Sequence, residues 1–166
     1  PETQLARRRV VITGLGLISP VGNTVEEGWK NIIAGVCGIA PITRFDTSSF
    51  PVQFAGEVKD FDISQYISAK DARRMDTFIH YGLAAGIQAL RDAGLDKEGA
   101  ADPERVGMSI GSGIGGLPLI ENTKGEYDAA GVRKDSPFFV PGSIINMISG
   151  NLSIEYGFKG PNIAVV

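Results

Sequence analysis

The chain has 166 residues, with 16 Lys and Arg against 19 Asp and Glu, and therefore a formal net charge of −3. This slightly acidic balance argues against a nucleic-acid-binding protein, because phosphate binding needs clustered positive charge. One cysteine and one histidine exclude an intrachain disulfide and a Cys/His metal cage built from this chain alone. The apolar runs are shorter than the roughly 18–20 residues of a membrane-spanning helix. The length alone predicts one domain.

The first part of the chain predicts a strand followed by a helix. Residues 10–13 form a short β-branched run stopped by Gly14, which favours a buried strand. Thr24 and Glu27 have the spacing of a capping box, so a helix is predicted to begin there and to end near Gly35. The apolar face of this helix consists of Val25, Trp29, Ile32 and Ile33.

Two longer helices are predicted farther along the chain. The first runs from Ser68 to Gly94 and carries small residues that allow another element to pack very close, namely Gly82, Ala84, Ala85, Gly86 and Ala89. The second is capped by Ser143, ends at Gly157 and is apolar on two faces, which is typical of a buried helix. Residues 117–137 show weak periodicity, and we expect them to be irregular or partly helical.

Strand patterns lie between these helices. An exposed strand is predicted at residues 52–58 and buried strands at residues 106–110 and 162–166. Strands that alternate with long helices predict an α/β fold with a mixed and mainly interior sheet.

A glycine-rich loop at residues 111–116 matches the pattern G-x-G-x-x-G directly after a predicted strand. Taken alone, this pattern suggests a dinucleotide site. The surroundings argue against it, because no clear amphipathic helix starts at Gly116, Pro118 intervenes, and Asp128 lies in a polar stretch instead of at a strand end. The alternative is a sharp turn where another backbone or a ligand comes close.

Cys37 and His80 are the residues from which a nucleophile and its base would have to come. Cys37 follows the predicted end of a helix, where a thiolate is disfavoured, and no sequence feature links it to His80. We therefore interpret Cys37 as a small loop residue and His80 as a helix-surface or hydrogen-bonded histidine.

Positive charge is clustered in two places. Lys70, Arg73 and Arg74 lie within about a turn of helix, and Arg133 and Lys134 precede Ser136-Pro137. Such clusters are commonly solvated faces. The alternative hypothesis is a docking surface for an acidic partner.

Several segments together resemble the β-ketoacyl-acyl carrier protein synthases, in particular the elongating members of the bacterial type II system. The resemblance extends from Arg8 to Val166. The segments that carry it are residues 10–16 and 19–22, Phe45-Asp46-Thr47, Arg74-Met75-Asp76, the loop 111–116, Ser136-Pro137-Phe138-Phe139-Val140-Pro141 and Gly160-Pro161-Asn162.

The resemblance implies a thiolase-like fold, in which two similar α/β halves each contain a mixed five-stranded sheet and stack as five layers. It also implies a cytoplasmic homodimer in fatty-acid synthesis that needs no cofactor. The activity would be a decarboxylating Claisen condensation between an acyl-enzyme thioester and malonyl-acyl carrier protein. A cysteine thiolate suits this chemistry because it is both a good nucleophile and a good leaving group.

The family's nucleophile is expected in a Thr-Ala-Cys that follows the Gly-Pro strand, just beyond Val166. Two histidines and a lysine lie farther on in the family. We therefore expect residues 1–166 to be the N-terminal thiolase-like half, with the C-terminal half absent and no catalytic residue within the chain. Cys37 and His80 match none of the family's catalytic positions.

Binding residues can be carried over by position. The resemblance implies that Ile114 gates the acyl pocket and that Phe139 enters the acyl pocket of the partner subunit. It also implies that five basic residues contact the acidic acyl carrier protein, namely Lys70, Arg73, Arg74, Arg133 and Lys134. Two alternatives remain, a non-catalytic relative similar to a chain-length factor and, more remotely, a nucleotide-binding domain built on the glycine loop.

Overall fold

The computed structural model describes residues 9–131 and 136–166. Its α-helices are Val25–Ile33 (α1), Ala69–Ala72 (α2), Thr77–Asp92 (α3), Leu117–Ala130 (α4), Phe139–Ser143 (α5) and Met147–Tyr156 (α6). Its strands are Ile39–Pro41 (β1), Phe54–Gly56 (β2), Met108–Gly111 (β3) and Asn162–Val165 (β4). Short 3-10 turns occupy Ile63–Gln65 and Pro103–Arg105.

The strands form two separate ladders. β1 pairs antiparallel with β2, and β3 pairs parallel with β4, with Ser109 opposite Ile163. The parallel pair confirms an α/β arrangement, because α4, α5 and α6 form the crossover between β3 and β4. Within the described residues the ladders stay separate and do not join into one five-stranded sheet. β4 is also less buried than predicted, since Ile163 and Val165 are both more than half exposed.

The strand predicted at residues 10–13 is not formed. Val10 and Ile12 are 91% and 83% exposed, and the segment has no ladder partner among the described residues. A β-branched run favours extended backbone, but a strand also needs a neighbour with unpaired backbone groups. The prediction of a buried strand there is therefore wrong for this structure.

The core lies between α3 and α6. It contains Ile79, Leu83, Ile87 and Leu90 from α3 and Ile148 and Leu152 from α6. Small residues of α3 allow α6 to pack close to it. A β-carbon added at Gly82 would lie 2.6 Å from Ile148, and one added at Gly86 would lie 2.5 Å from Leu152.

The helix predicted from Ser68 to Gly94 is two helices. α2 ends with Arg73 as its C-cap, and α3 begins after Asp76, whose carboxylate accepts a hydrogen bond from the Phe78 N–H. The predicted C-terminal end near Gly94 is correct. α3 ends at Asp92, and Gly94 follows with a φ of +68° that other residues rarely adopt.

The last predicted helix begins later than expected. Ser143 is the final residue of α5, and α6 begins after Asn146 and ends at Gly157, whose φ is also +68°. Only one face of α6 is covered, because Ile154 is 78% exposed. α4 occupies most of residues 117–137, the stretch expected to be irregular or partly helical.

The first helix agrees with its sequence signals. The Thr24 hydroxyl accepts a hydrogen bond from the Glu27 N–H, and Gly35 follows the helix with a φ of +71°. In the described ranges no helix is both long and apolar enough to cross a membrane.

Candidate functional site

A basic corner, formed by Lys70, Arg73 and Arg74, lies where α2 ends and α3 begins. Lys70 and Arg73 are exposed. Arg74 is half-buried, with its guanidinium 4.0 Å from the Asp71 carboxylate and 4.3 Å from the centre of the Phe138 ring. These two contacts restrain its side chain. The structure thus brings three of the five predicted basic residues together, whereas Arg133 and Lys134 lie outside the described residues.

The glycine loop, residues 111–116, follows β3 and makes a sharp turn. The Ser112 hydroxyl accepts a hydrogen bond from the Gly115 N–H at 3.1 Å, and Gly115 has a φ of +85°. The Gly116 N–H donates to the Ser143 carbonyl at 2.9 Å. A β-carbon at Gly116 would lie 2.8 Å from Ser143 Cα, so glycine is needed where the loop meets α5. The interpretation as a turn at a close backbone approach is therefore confirmed.

The same geometry argues against a phosphate at this loop. A helix does begin directly after Gly116, with Pro118 in its first turn, but it has no buried residue and so no apolar face that packs on the core. Pro118 has no N–H to offer, the Gly116 N–H is donated to Ser143, and the Leu119 N–H donates to the Asp76 carboxylate at 2.7 Å. A phosphate would have to displace a carboxylate from this helix N-terminus, which makes the dinucleotide hypothesis untenable.

Asp76 is the residue that the sequence analysis undervalued. Its side-chain oxygens accept from Phe78 N–H at 3.3 Å and Leu119 N–H at 2.7 Å, and its own N–H donates to the Gly142 carbonyl at 3.0 Å. The residue is only 7% exposed. An aspartate directly before an apolar helical run is an N-cap signal, which would have located the α3 cap but not the contact with α4.

The two predicted acyl-pocket residues lie on different features. Ile114 is at the glycine loop and is 69% exposed. Phe139 is half-buried at the start of α5 and lines an apolar groove of about 500 Å³. The other groove residues are Ile120, Thr123, Lys124, Tyr127, Ser136, Pro137 and Val140. Ile114 does not line this groove, so the described residues do not join the two side chains in one cavity.

Cys37 and His80 do not form a catalytic pair. The exposed Cys37 thiol lies 3.9 Å from the Ile39 carbonyl, which is its hydrogen-bond contact. The His80 Nε2–H donates to the Ala72 carbonyl at 2.9 Å. The structural interpretation of both residues is confirmed.

A larger cavity, of about 690 Å³, lies between the turn Ile63–Gln65, α3 and α6, and no sequence signal indicated it. Arg91 and Tyr156 contribute polar groups to its lining. Burial raises the pKa of Tyr156, so its hydroxyl remains protonated and able to donate.

Residues 7–166 match the family model described as the N-terminal domain of β-ketoacyl synthase. The chain belongs to this family. It is 59% identical over 163 residues to the 3-oxoacyl-[acyl-carrier-protein] synthase 2 of Vibrio cholerae, an alignment that covers 97% of the chain and 39% of that relative. This β-ketoacyl synthase chain therefore spans about two fifths of the length of the curated relatives that it matches.

Solved structures of ketosynthases share the fold of this β-ketoacyl synthase chain. The ishigamide ketosynthase/chain length factor superposes with a TM-score of 0.85 at 32% identity, covering 97% of this chain and 40% of that one. The complex AntDE:AntF, described as a type II PKS acyl-carrier protein with its ketosynthase bound to the hexaketide, gives 0.73 at 32% identity and covers 92% and 41%. The predicted thiolase-like α/β class is confirmed.

Proposed function

We propose that the chain is the N-terminal part of a condensing enzyme of fatty-acid elongation. The main support for this proposal is the 59% identity, over almost the whole chain, to a 3-oxoacyl-[acyl-carrier-protein] synthase 2. The reaction joins an acyl thioester to malonyl-acyl carrier protein. The malonyl group loses carbon dioxide, its carbanion attacks the acyl carbonyl, and the carbon–sulfur bond breaks to release the thiolate that had carried the acyl group. We assign no nucleophile within the 166 residues.

A condensation assay tests this proposal in a full-length protein that contains the chain. Acyl-acyl carrier protein and malonyl-acyl carrier protein are supplied together, and 3-oxoacyl product and released carbon dioxide are measured. We expect one carbon dioxide for each product, because each new carbon–carbon bond consumes the carbanion left by one decarboxylation. Product formation would exclude a non-catalytic relative resembling a chain-length factor, whereas carrier binding without condensation would favour it.

The basic corner supports docking of an acidic carrier protein in this proposal. Lys70 and Arg73 are exposed, and Arg74 is half-buried with contacts to Phe138 and Asp71, so this corner offers positive charge to an acidic partner. The AntDE:AntF complex shows that a ketosynthase of the same fold binds an acyl carrier protein. We extend the docking surface to Arg133 and Lys134 by family resemblance alone.

Ile114 and Phe139 are proposed as acyl-pocket residues. Ile114 is 69% exposed within this chain, so its side chain is available to line a pocket completed by other parts of the enzyme. The close backbone contacts of Gly115 and Gly116 fix the loop that bears it. Phe139 is proposed to reach the pocket of a second subunit. The homodimer and a cytoplasmic location are parts of the proposal that rest on resemblance alone.

Replacing Ile114 by phenylalanine is expected to shorten the acyl chain that the enzyme accepts. The larger ring fills space that a long chain needs, so kcat/KM should fall about ten-fold or more for the longest acyl group and little for the shortest. Steady-state kinetics with acyl carrier protein that bears acyl groups of increasing length measures kcat/KM for each length. Ile154→Phe is the control, because Ile154 is also highly exposed but lies on α6. An unchanged profile in Ile114→Phe would contradict the assignment.

A further inference from the structure

A buried polar junction joins the basic corner to the glycine loop. Its centre is Asp76, between the basic corner and α3, and its other members are Gly116, Leu119, Gly142 and Ser143. Asp76 and Ser143 are each 7% exposed, and Gly142 is buried. These residues belong to three segments that are distant in sequence, since Asp76 and Leu119 are 43 positions apart.

The carboxylate of Asp76 serves two helices at once. One oxygen accepts from the Phe78 N–H at the start of α3, and the other accepts from the Leu119 N–H in the first turn of α4. Hydrogen bonds to an ionised acceptor are stronger than neutral ones, and burial limits competition from water. A single side chain thus accepts from one N–H that has no intrahelical partner at each of two helix N-termini.

The surrounding backbone leaves little room for this junction to slide. A β-carbon at Gly116 would lie 3.1 Å from Asp76 Cβ, and one at Gly142 would lie 2.6 Å from the Arg74 carbonyl oxygen. The Asp76 N–H also donates to the Gly142 carbonyl. The corner that bears Arg74 and the loop that precedes α4 are therefore held together by direct backbone contacts as well as by the carboxylate.

We propose that Asp76 is a positioning residue for Ile114, which it fixes relative to the basic corner by fastening the N-terminus of α4 to that of α3. The inference rests on the proposed function, because Ile114 is assigned there to the acyl pocket. Ile114 lies five residues before Leu119, on the loop that leads into α4. When the Leu119 amide loses its acceptor, the loop is free to shift and Ile114 discriminates less between acyl lengths.

Two substitutions separate the two bonds of Asp76. Asp76→Asn retains one oxygen that can cap α3 but places an NH₂ group where the second acceptor stood, so the Leu119 N–H meets a donor. Asp76→Ser retains a good N-cap for α3 with a side chain too short to serve α4 as well. Asp62→Asn is the matched control. Asp62 caps the exposed turn Ile63–Gln65, and its replacement by asparagine removes the same charge as Asp76→Asn.

The experiment measures hydrogen exchange and acyl selectivity in the full-length enzyme. We expect exchange in the peptide that contains Leu119 to rise about ten-fold or more in both Asp76 variants, while the α3 core around Leu83 stays protected. The ratio of kcat/KM for short and long acyl chains should shift about five-fold toward unity, with an unchanged KM for the carrier protein. The control should alter none of these.

Other outcomes overturn the inference or locate the failure elsewhere. A wild-type enzyme that does not condense refutes the proposed function, independently of any Asp76 variant. An active wild type whose exchange or acyl ratio is unchanged in the Asp76 variants overturns the positioning role. Loss of hydrogen-exchange protection in α3 and α4 together, in both variants, would assign Asp76 a general stabilising role. That result would also overturn the positioning role.

Discussion

Replacing Gly16 by alanine is expected to destabilise the protein by about 3 kcal/mol or more. A β-carbon at Gly16 would fall on the carbonyl oxygen of Ala85 in α3 and within 3.0 Å of the Ala89 nitrogen. Both are backbone atoms of a packed helix, so no side-chain rotation can relieve the overlap. The loop would have to move away and break its hydrogen bond from the Leu17 N–H to the Gln88 side chain, which is 3.0 Å long.

Denaturant unfolding of the full-length protein measures this effect, and the chain offers a matched control. Gly125 lies inside α4, and a β-carbon there would have no heavy atom within 4 Å. Gly125→Ala should therefore be neutral or stabilise by up to about 1 kcal/mol, because alanine favours a helix more than glycine does. Equal stability of Gly16→Ala and the wild type would show that the loop does not pack on α3.

Reversing the charges of Arg73 and Arg74 to glutamate should weaken binding of acyl carrier protein about 30-fold at low salt. The acidic partner would then face two negative charges where it met two positive ones. The difference between variant and wild type should shrink as salt rises, because exposed charges are screened beyond about 8–10 Å. Titration of the full-length enzyme with the carrier protein at two salt concentrations measures both effects.

The control reverses two other exposed lysines, Lys97 and Lys159, and so makes a similar change in net charge. Lys97 follows α3, whose 16 residues extend roughly 24 Å away from the basic corner. Wild-type affinity in the control, with weakened binding in the Arg73/Arg74 variant, locates docking at the corner. Equal weakening in both would mean that only overall charge matters, and no weakening at low salt would refute the docking surface.

The single variants Arg73→Glu and Arg74→Glu should differ in stability. Arg73 is exposed, so Arg73→Glu should change binding without changing stability. Arg74 packs over Phe138 at 4.3 Å, so Arg74→Glu should also lower the unfolding midpoint. Comparing unfolding curves of the two variants therefore separates lost charge from lost packing.

Features of the fold with a local cause were predictable from the sequence. Thr24 begins α1, and Gly35, Gly94 and Gly157 follow helix ends with positive φ, because caps and left-handed glycines depend on only a few neighbouring residues. The failed strand at residues 10–13 had the correct composition, but strand formation also depends on a partner strand that no local pattern specifies.

The candidate site was predictable only in part for the same reason. Helical spacing placed Lys70, Arg73 and Arg74 near one another, although the break before α3 was missed because the apolar pattern continues across it. The second bond of Asp76 could not be predicted, since it depends on how α4 meets α3 across 43 residues of chain. Ile114 and Phe139 came from family resemblance, and periodicity indicated neither.

The glycines of the loop that packs against the backbone of α3 also have a consequence for motion. Gly14 and Gly16 bring a loop against the backbone of Ala89 and Ala85, so that contact does not depend on which rotamers side chains adopt. Immobilising long side chains costs conformational entropy, whereas a backbone contact at glycine has no rotamers to lose. The amides of Leu15 and Leu17 also donate to the Asp92 and Gln88 side chains of α3, so on warming they should exchange their hydrogens more slowly than the amides of the exposed residues 10–12.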